Sequence, residues 1–455
     1  MVVGLLVDQA FRADAFGIAW ALTIGVGAVL LAVTGRLTQV ESRVMVAVAA
    51  VFGVWLAVRA SPWLDWPDLL ASFALLGLGA SFSSRGSIFD IGSAELSARA
   101  AHATVHIAAG AAFIGRPIVG MRRRLAALGP LVRGLLIAVP ICALLSALLA
   151  SADPVFASFF NINLDLGQVA ADVFFVGTGG LAMAGLLRLA LAEPLDRIDG
   201  PAWRLGATEA LIVLALLDAV FTAFAIAQVL AASGEATATL RSAGVSYSDY
   251  ARSGFFQLLW VGGITLVVLI LFSRIAGSSK AKQGAAFLIL SETAIALTLM
   301  IVVVAFRRLS LYEDVYGFTM LRLYSHIFAV WMAVVFVLLG AELLGAWRQR
   351  HWFVGATAFT AVTVLLALNF INPEAALVGL NVSHAASTHK IDTDYLSSLS
   401  SDATPRLVEA AQEVDPTVRQ RVANTACRGP RSYAPSIGAF NWSEAEAAAA
   451  RRASC

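Results

Sequence analysis

The sequence predicts an all-α, polytopic membrane protein of about ten transmembrane helices, followed by a small polar helical unit outside the membrane. Three observations predict it. Hydrophobic residues make up 59% of the 455 and charged residues 14%, with a mean hydropathy of +0.79, whereas a soluble domain is about 45–50% apolar and about 25% charged. The apolar residues form long unbroken runs, unlike the short alternating strands of a β-barrel. The cations are sorted, so that basic loops alternate with loops holding few of them. A net charge of +2 gives no electrostatic footprint for nucleic acid.

A hydrocarbon core of about 30 Å takes about 20 apolar residues per helix. Ten runs fit: 16–35, 44–60, 66–82, 132–151, 168–189, 208–231, 255–274, 285–305, 321–344 and 352–370. Each is apolar on all faces, as a surface helix is not. Residues 93–119 also read as a helix, interfacial or packed among the others; an eleventh span is the alternative. The N-terminal "MVVGLLVDQAFRADAF" has no basic region and is interrupted at Asp8, so it does not read as a signal peptide.

Cytoplasmic loops carry the excess of Lys and Arg. With ten spans, one set of loops holds Arg36 and Arg43; Arg85, Arg99, Arg116 and "RRR" at 122–124; Arg188, Arg197 and Arg204; Arg274, Lys280 and Lys282; Arg348 and Arg350. The other set holds only Arg12, Arg241, Arg252, Arg307 and Arg308. The first set is therefore expected inside, which puts residues 371–455 outside the cytoplasm. If 93–119 spans, only the side of the N-terminal helices changes.

The chain divides into a transmembrane domain, 1–370, and a polar helical unit, 371–455. In the latter, Asp402 and Thr404 are each placed to open a helix, with Pro405 in a first-turn position. "SEAEAAAARRASC" is an alanine-rich terminal helix. Cys427 and Cys455 fall in a compartment that permits disulfides, so a Cys427–Cys455 bond and two free thiols both stand as readings.

Several stretches resemble a known family: "VVGLLVDQAF", "LLASADPVFA" (148–157), "YSDYARSGFFQLLW" (247–260), "RRLSLYEDVYGFTMLRLYSHIFAVW" (307–331), "NPEAALVGLNVSHAASTHKIDTDYLSSLSSDATPRL" and "FNWSEAEAAAARR". In order and spacing they are similar to the bacterial polytopic inner-membrane proteins catalogued as domain of unknown function 4173, often labelled 4153-domain-containing. The terminal motif departs from that pattern, with Glu444 and Glu446 where the family has arginines. The resemblance implies a bacterial cytoplasmic membrane, and it implies no reaction.

The chain holds no GxSxG and no Walker-type loop, no catalytic residue stands out, and a non-enzymatic role is the expectation. No cofactor and no metal are expected. His102 and His106 are four apart in "HATVH" but lack the metalloprotease Glu and a third ligand. The glycines of "GTGGLAMAG" (177–185) lie in a span, where small residues serve close packing. Asp218 and Glu292 fall within spans, as a proton or substrate relay or as acids hydrogen-bonded to Thr222 or Thr293. The densest polar sequence is external: Asp249, Tyr250 and Arg252, then Tyr312, Glu313, Asp314, Tyr316 and Arg322. These two stretches are expected to meet beneath the C-terminal unit, with Arg322 seeking a carboxylate or several carbonyls. The expected partners are the lipid bilayer and, at this external face, another envelope protein or a lipid-linked ligand. Two functions follow: a scaffold or sensor with an extracytoplasmic binding face, or a transporter or enzyme acting on a lipid or lipid-linked substrate through an outward-facing cavity.

Overall fold

A computed structural model describes residues 1–13, 15–84, 86–108, 166–192, 207–232, 255–276, 281–346, 351–388 and 390–455, and among them every regular element is a helix. The first group comprises α1 (Val2–Arg12), α2 (Ile18–Thr34), α3 (Val40–Trp55), α4 (Pro62–Ser81), α5 (Ser93–Ala108) and α6 (Leu166–Ala190). The second comprises α7 (Ala207–Ala232), α8 (Phe255–Ala276), α9 (Ala281–Tyr316), α10 (Met320–Leu343) and α11 (Phe353–Ile371). The polar unit holds α12 (Pro373–Thr388), α13 (Thr393–Leu396), a 3-10 turn at Ser401–Ala403, α14 (Thr404–Glu413), α15 (Pro416–Ala426), a 3-10 turn at Ile437–Ala439 and α16 (Trp442–Ser454).

Among the described residues six helices, α6 to α11, are long and apolar enough to cross a membrane, and α2 is a shorter apolar helix. They coincide with seven of the ten expected spans. Two others are shifted toward the N-terminus: 44–60 becomes α3 and 66–82 becomes α4. The cause is Pro62, which takes a first-turn position of α4 where its missing N–H costs nothing. The expected span 132–151 lies outside the described residues. The run 285–305 is too short for what forms there, because α9 has 36 residues and is about 54 Å long. No proline interrupts it, and it stops where Gly317 takes φ +73, a backbone region that glycine enters without steric cost.

Each helix group has its own core. Leu31, Ala49, Phe52, Leu56 and Phe82 are fully buried in the first, and Leu214, Leu269, Ala294 and Phe336 in the second. In lipid, packing rather than water exclusion draws helices together, so small residues mark the contacts. Gly179 of "GTGGLAMAG" faces Val7 and Gly4 of α1, where an added methyl would come within 2.7 Å of the Val7 side chain. Helix α11 joins the groups: Val354 packs against both cores, and Gly355 lies against the backbone of Ile88 and Phe89.

The helix ends sort into two levels. At one, Thr38 donates to the Ser83 carbonyl, Ser83 to that of Ala190, and the His351 N–H to Asp90. Arg36, Arg43, Arg99 and Arg188 are at this level, with Arg99 reaching the Ser81 carbonyl at 3.0 Å. At the opposite level, the start of α2, the α3–α4 and α9–α10 turns and the end of α11 meet the polar unit. That unit has a third core, Leu377, Val378, Leu396, Leu407, Ala410 and Val422, into which Met320 of α10 is built.

Candidate functional site

The most polar buried region lies where the polar unit sits on the helix ends. "SPWLDWPD" opens α4, placing Asp65 and Asp68 one turn apart at the start of an apolar helix. Both are buried against the end of α11 and the start of α12. Asn369 donates to Asp68 Oδ1 at 2.8 Å and to the Leu365 carbonyl at 3.1 Å. Asp65 Oδ1, Asp68 Oδ2 and Asn369 Oδ1 are buried without a hydrogen-bond partner. Arg59 is the neighbouring cation, and it donates to the Asn369 carbonyl at 2.9 and 2.5 Å. Glu374 and Asp402 complete the cluster from the polar unit. Glu374 accepts from Ser61 Oγ at 2.6 Å and from the Ser400 N–H and hydroxyl, each at 2.7 Å. Asp402 accepts from the Ala60 N–H at 3.0 Å. Burial is the main force pushing the Glu374 and Asp402 carboxyls above the usual carboxylate range; their hydrogen bonds pull the other way.

The same joint continues through the tail. Asn441 donates to the Arg59 carbonyl at 2.6 Å, and its Oδ1 caps α16 at the Ser443 N–H, 3.0 Å away. Trp442 N–H reaches the Ala57 carbonyl at 2.8 Å, and Ile18 N–H reaches that of Phe440 at 3.0 Å. Ala447, Ala448 and Arg451 are buried, and Arg451 donates to Thr404 Oγ1 at 3.0 Å. A bond joins Cys427 to Cys455 across a Cα–Cα distance of 5.8 Å.

Asp249, Tyr250 and Arg252 lie outside the described residues. "YEDVY" is the last turn of α9 rather than a loop. Among the described residues Arg322 takes carbonyls and no carboxylate: its guanidinium donates to Tyr316 at 3.3 Å and to Gly317, and lies 4.5 Å from the Tyr312 ring centre. It thus closes the carbonyl end of α9, which the helix dipole favours. Tyr312 and Tyr316 pack ring on ring at 4.6 Å. Glu313 is buried 3.3 Å from His326 Nδ1, and Asp314 is exposed. The polar unit covers this turn. Asn381 accepts from the Phe318 N–H at 3.1 Å and donates to its carbonyl at 3.0 Å, while the Met320 N–H donates to the Tyr395 hydroxyl at 2.6 Å.

Within the helix groups, both carboxyl oxygens of Asp218 and Oε1 of Glu292 are buried without a hydrogen-bond partner among the described residues. Thr293 donates its hydroxyl to the Ile289 carbonyl at 2.8 Å rather than to an acid. His102 and His106 meet each other, Nε2 to Nε2, at 2.9 Å. Among the described residues no group of three His, Cys, Asp or Glu side chains is placed to hold a metal ion.

The acidic cluster escapes a reading by motif because its members come from 65, 68, 374 and 402. The one local signal is the pair of acids in the first two turns of an apolar helix, where interfacial charge is commonplace. Residues 46–410, well over half the chain, match the family described as "Domain of unknown function (DUF4153)". No curated protein and no solved structure matches the chain.

Proposed function

The chain belongs to the DUF4153 family and is a multi-pass membrane protein; from that premise we propose that it is a scaffold or sensor of a bacterial inner membrane. Its C-terminal unit lies outside the cytoplasm and presents the surface that engages another envelope protein. The observation that carries this reading is the joint described above. The polar unit is fastened to the α1–α2 and α3–α4 connections, to the α9–α10 turn and to the end of α11 through buried and part-buried hydrogen bonds. An event at the unit's surface is thereby coupled to the positions of helices in the bilayer. Two further facts support the sidedness. Arg36, Arg43, Arg99 and Arg188 lie at the level away from the unit, as cytoplasmic cations would. The Cys427–Cys455 bond suits an oxidising compartment.

The test is site-specific photocrosslinking in cells. A photoreactive residue at the exposed positions Lys390 or Arg419 should give a discrete adduct with one envelope protein. If neither position gives an adduct while the protein is present at normal level, the scaffold reading fails. The alternative is a transporter or lipid-handling enzyme, and its support is the unpartnered Asp218 within α7.

A further inference from the structure

Away from the acidic joint, the last turns of α9 and the first turns of α10 hold a serine, a histidine and a carboxylate in series. Phe306, Ser310 and Glu313 stand at i, i+4 and i+7 of α9, so the three share one face. The turn at Gly317 folds α10 back against α9. Ser310 is six residues before the end of α9 and His326 six residues into α10, so both lie about 9 Å from the helix ends at about 1.5 Å per residue. His326 Nε2 is 3.3 Å from Ser310 Oγ, and its Nδ1 is 3.3 Å from Glu313 Oε1. The Phe306 ring meets the imidazole edge to face, with 4.2 Å between centres, and fixes its plane.

The order of these groups decides where the protons sit. Glu313 is buried, and apart from this imidazole its Oε1 meets no donor among the described residues. A carboxylate so placed takes the Nδ1–H, which leaves the Nε2 lone pair toward Ser310. The Ser310 hydroxyl has one proton and two acceptors within reach, Nε2 and the Phe306 carbonyl at 3.1 Å. Such contacts are loose in a resting site and tighten around substrate. Nucleophile, base and orienting carboxylate in this sequence make a catalytic triad on whatever fold supplies them.

The surroundings choose the substrate. Ser310 is half-buried, and Phe306 and Leu311 beside it are exposed, so the hydroxyl is reached from the surface of α9. His326 is, among the described residues, the one titratable side chain in an apolar wall that includes Phe306, Ile327, Val330 and Val334. An ester that fits here carries a hydrocarbon tail. We propose that Ser310, His326 and Glu313 form a serine esterase centre that cleaves an acyl ester of a membrane phospholipid, an activity beyond the scaffold reading and independent of it. Ser310 Oγ attacks the ester carbonyl carbon while His326 Nε2 takes its proton, and the imidazolium balances the negative charge formed on the carbonyl oxygen. The bond from that carbon to the glycerol oxygen breaks, and the imidazolium gives its proton to the leaving alcohol. Water, losing a proton to the same nitrogen, attacks the acyl-Ser310 carbonyl; the fatty acid leaves and the serine recovers its proton. Glu313 is the positioning residue.

The full-length protein, purified in detergent, is treated with a fluorophosphonate, which phosphonylates an activated serine with loss of fluoride. One adduct is expected, mapped to Ser310 and absent from heat-unfolded protein. Ser310→Ala should remove it at an unchanged melting temperature. His326→Gln should slow it about 100-fold or more. Glu313→Gln should lower the maximal labelling rate by a similar factor yet leave unchanged the probe concentration that gives half of it, a split that loss of fold does not produce. No adduct on the folded parent, an adduct elsewhere, or parental labelling of folded His326→Gln or Glu313→Gln overturns the triad. In vesicles of phosphatidylethanolamine and phosphatidylglycerol, the parent should release fatty acid and lysophospholipid, and Ser310→Ala should not. An adduct at Ser310 without that release overturns the phospholipid ester as substrate.

Discussion

Asn441 joins three parts of the chain with one side chain. Its amide donates to carbonyls of Phe16, Leu56 and Arg59, and its Oδ1 takes the Ser443 and Glu444 N–H groups at the start of α16. Loss of an N-cap costs about 1 kcal/mol, and unsatisfied buried partners add about 1–3 kcal/mol. Asn441→Ala should therefore speed hydrogen exchange throughout α16 while leaving α8 and α10 unchanged. Unchanged protection of α16 would show that the cap carries no weight. Asp402 makes a pH-dependent prediction. Burial raises its native pKa and that of Glu374, so the folded state holds these protons more tightly than the unfolded chain. That stabilisation is fully present below the unfolded carboxylate range, about 4, and is lost as pH rises through the native values. The polar unit should be better protected at pH 5 than at pH 8, after correction for intrinsic exchange. Asp402→Asn keeps the acceptor for Ala60 and should flatten that dependence; a variant as pH-sensitive as the parent would contradict it. Within α7, Asp218 has no hydrogen-bond partner among the described residues, and an ionised acid at this depth costs about 3 kcal/mol. Asp218→Leu should leave the melting temperature in detergent unchanged or higher. A clear drop would mean that the carboxyl is bonded in the native protein. Arg322 shows what sequence does and does not disclose at this scale. Its need for acceptors was legible from its place at the head of an apolar run. That the acceptors are the carbonyls of Tyr316 and Gly317 depends on where α9 ends, which a count of apolar residues does not reveal.

At the scale of elements, hydropathy located the membrane helices well because a bilayer forces every backbone group to be satisfied within its own helix. It failed where the helix outruns the bilayer. Residues 306–316 are polar enough to read as a loop, yet nothing breaks the hydrogen-bond ladder before Gly317. Helices α3 and α4 were displaced for a similar reason, since hydropathy averages across the turn that Ser61 and Pro62 make. The terminal helix was legible by composition but its seat was not. Its buried face consists of Ser443, Ala447, Ala448 and Arg451, a pattern too plain to name a partner. The bond between Cys427 and Cys455 closes a separation of 28 residues, for which loop-entropy reasoning gives about 3.6 kcal/mol. Cys455→Ser should accordingly loosen α16 and the 428–441 segment while the membrane helices keep their protection. If α16 exchanges as slowly in the variant as in the parent, the buried alanines hold it unaided.

At the scale of the whole molecule, two helix groups share α11 and carry one polar unit across their ends. The acidic joint between unit and helices was not legible, because Asp65, Asp68, Glu374 and Asp402 are brought together only by the packing of α4, α11 and α12. The sorting of charge into levels was legible in part, because the loops that hold Arg36, Arg43, Arg99 and Arg188 were grouped by composition and lie together at the level away from the unit. The central claim is that the C-terminal unit lies outside the cytoplasm, seated on the outer ends of the spans. A membrane-impermeant maleimide applied to intact cells tests it most directly. The protein would carry Cys142→Ala, Cys427→Ser and Cys455→Ser, with a single new cysteine from Lys390→Cys on the unit or Thr34→Cys at the opposite level. Labelling of the Lys390→Cys protein in intact cells, with the Thr34→Cys protein labelled only after permeabilisation, is the predicted result. The reverse pattern would place the unit in the cytoplasm and contradict the account.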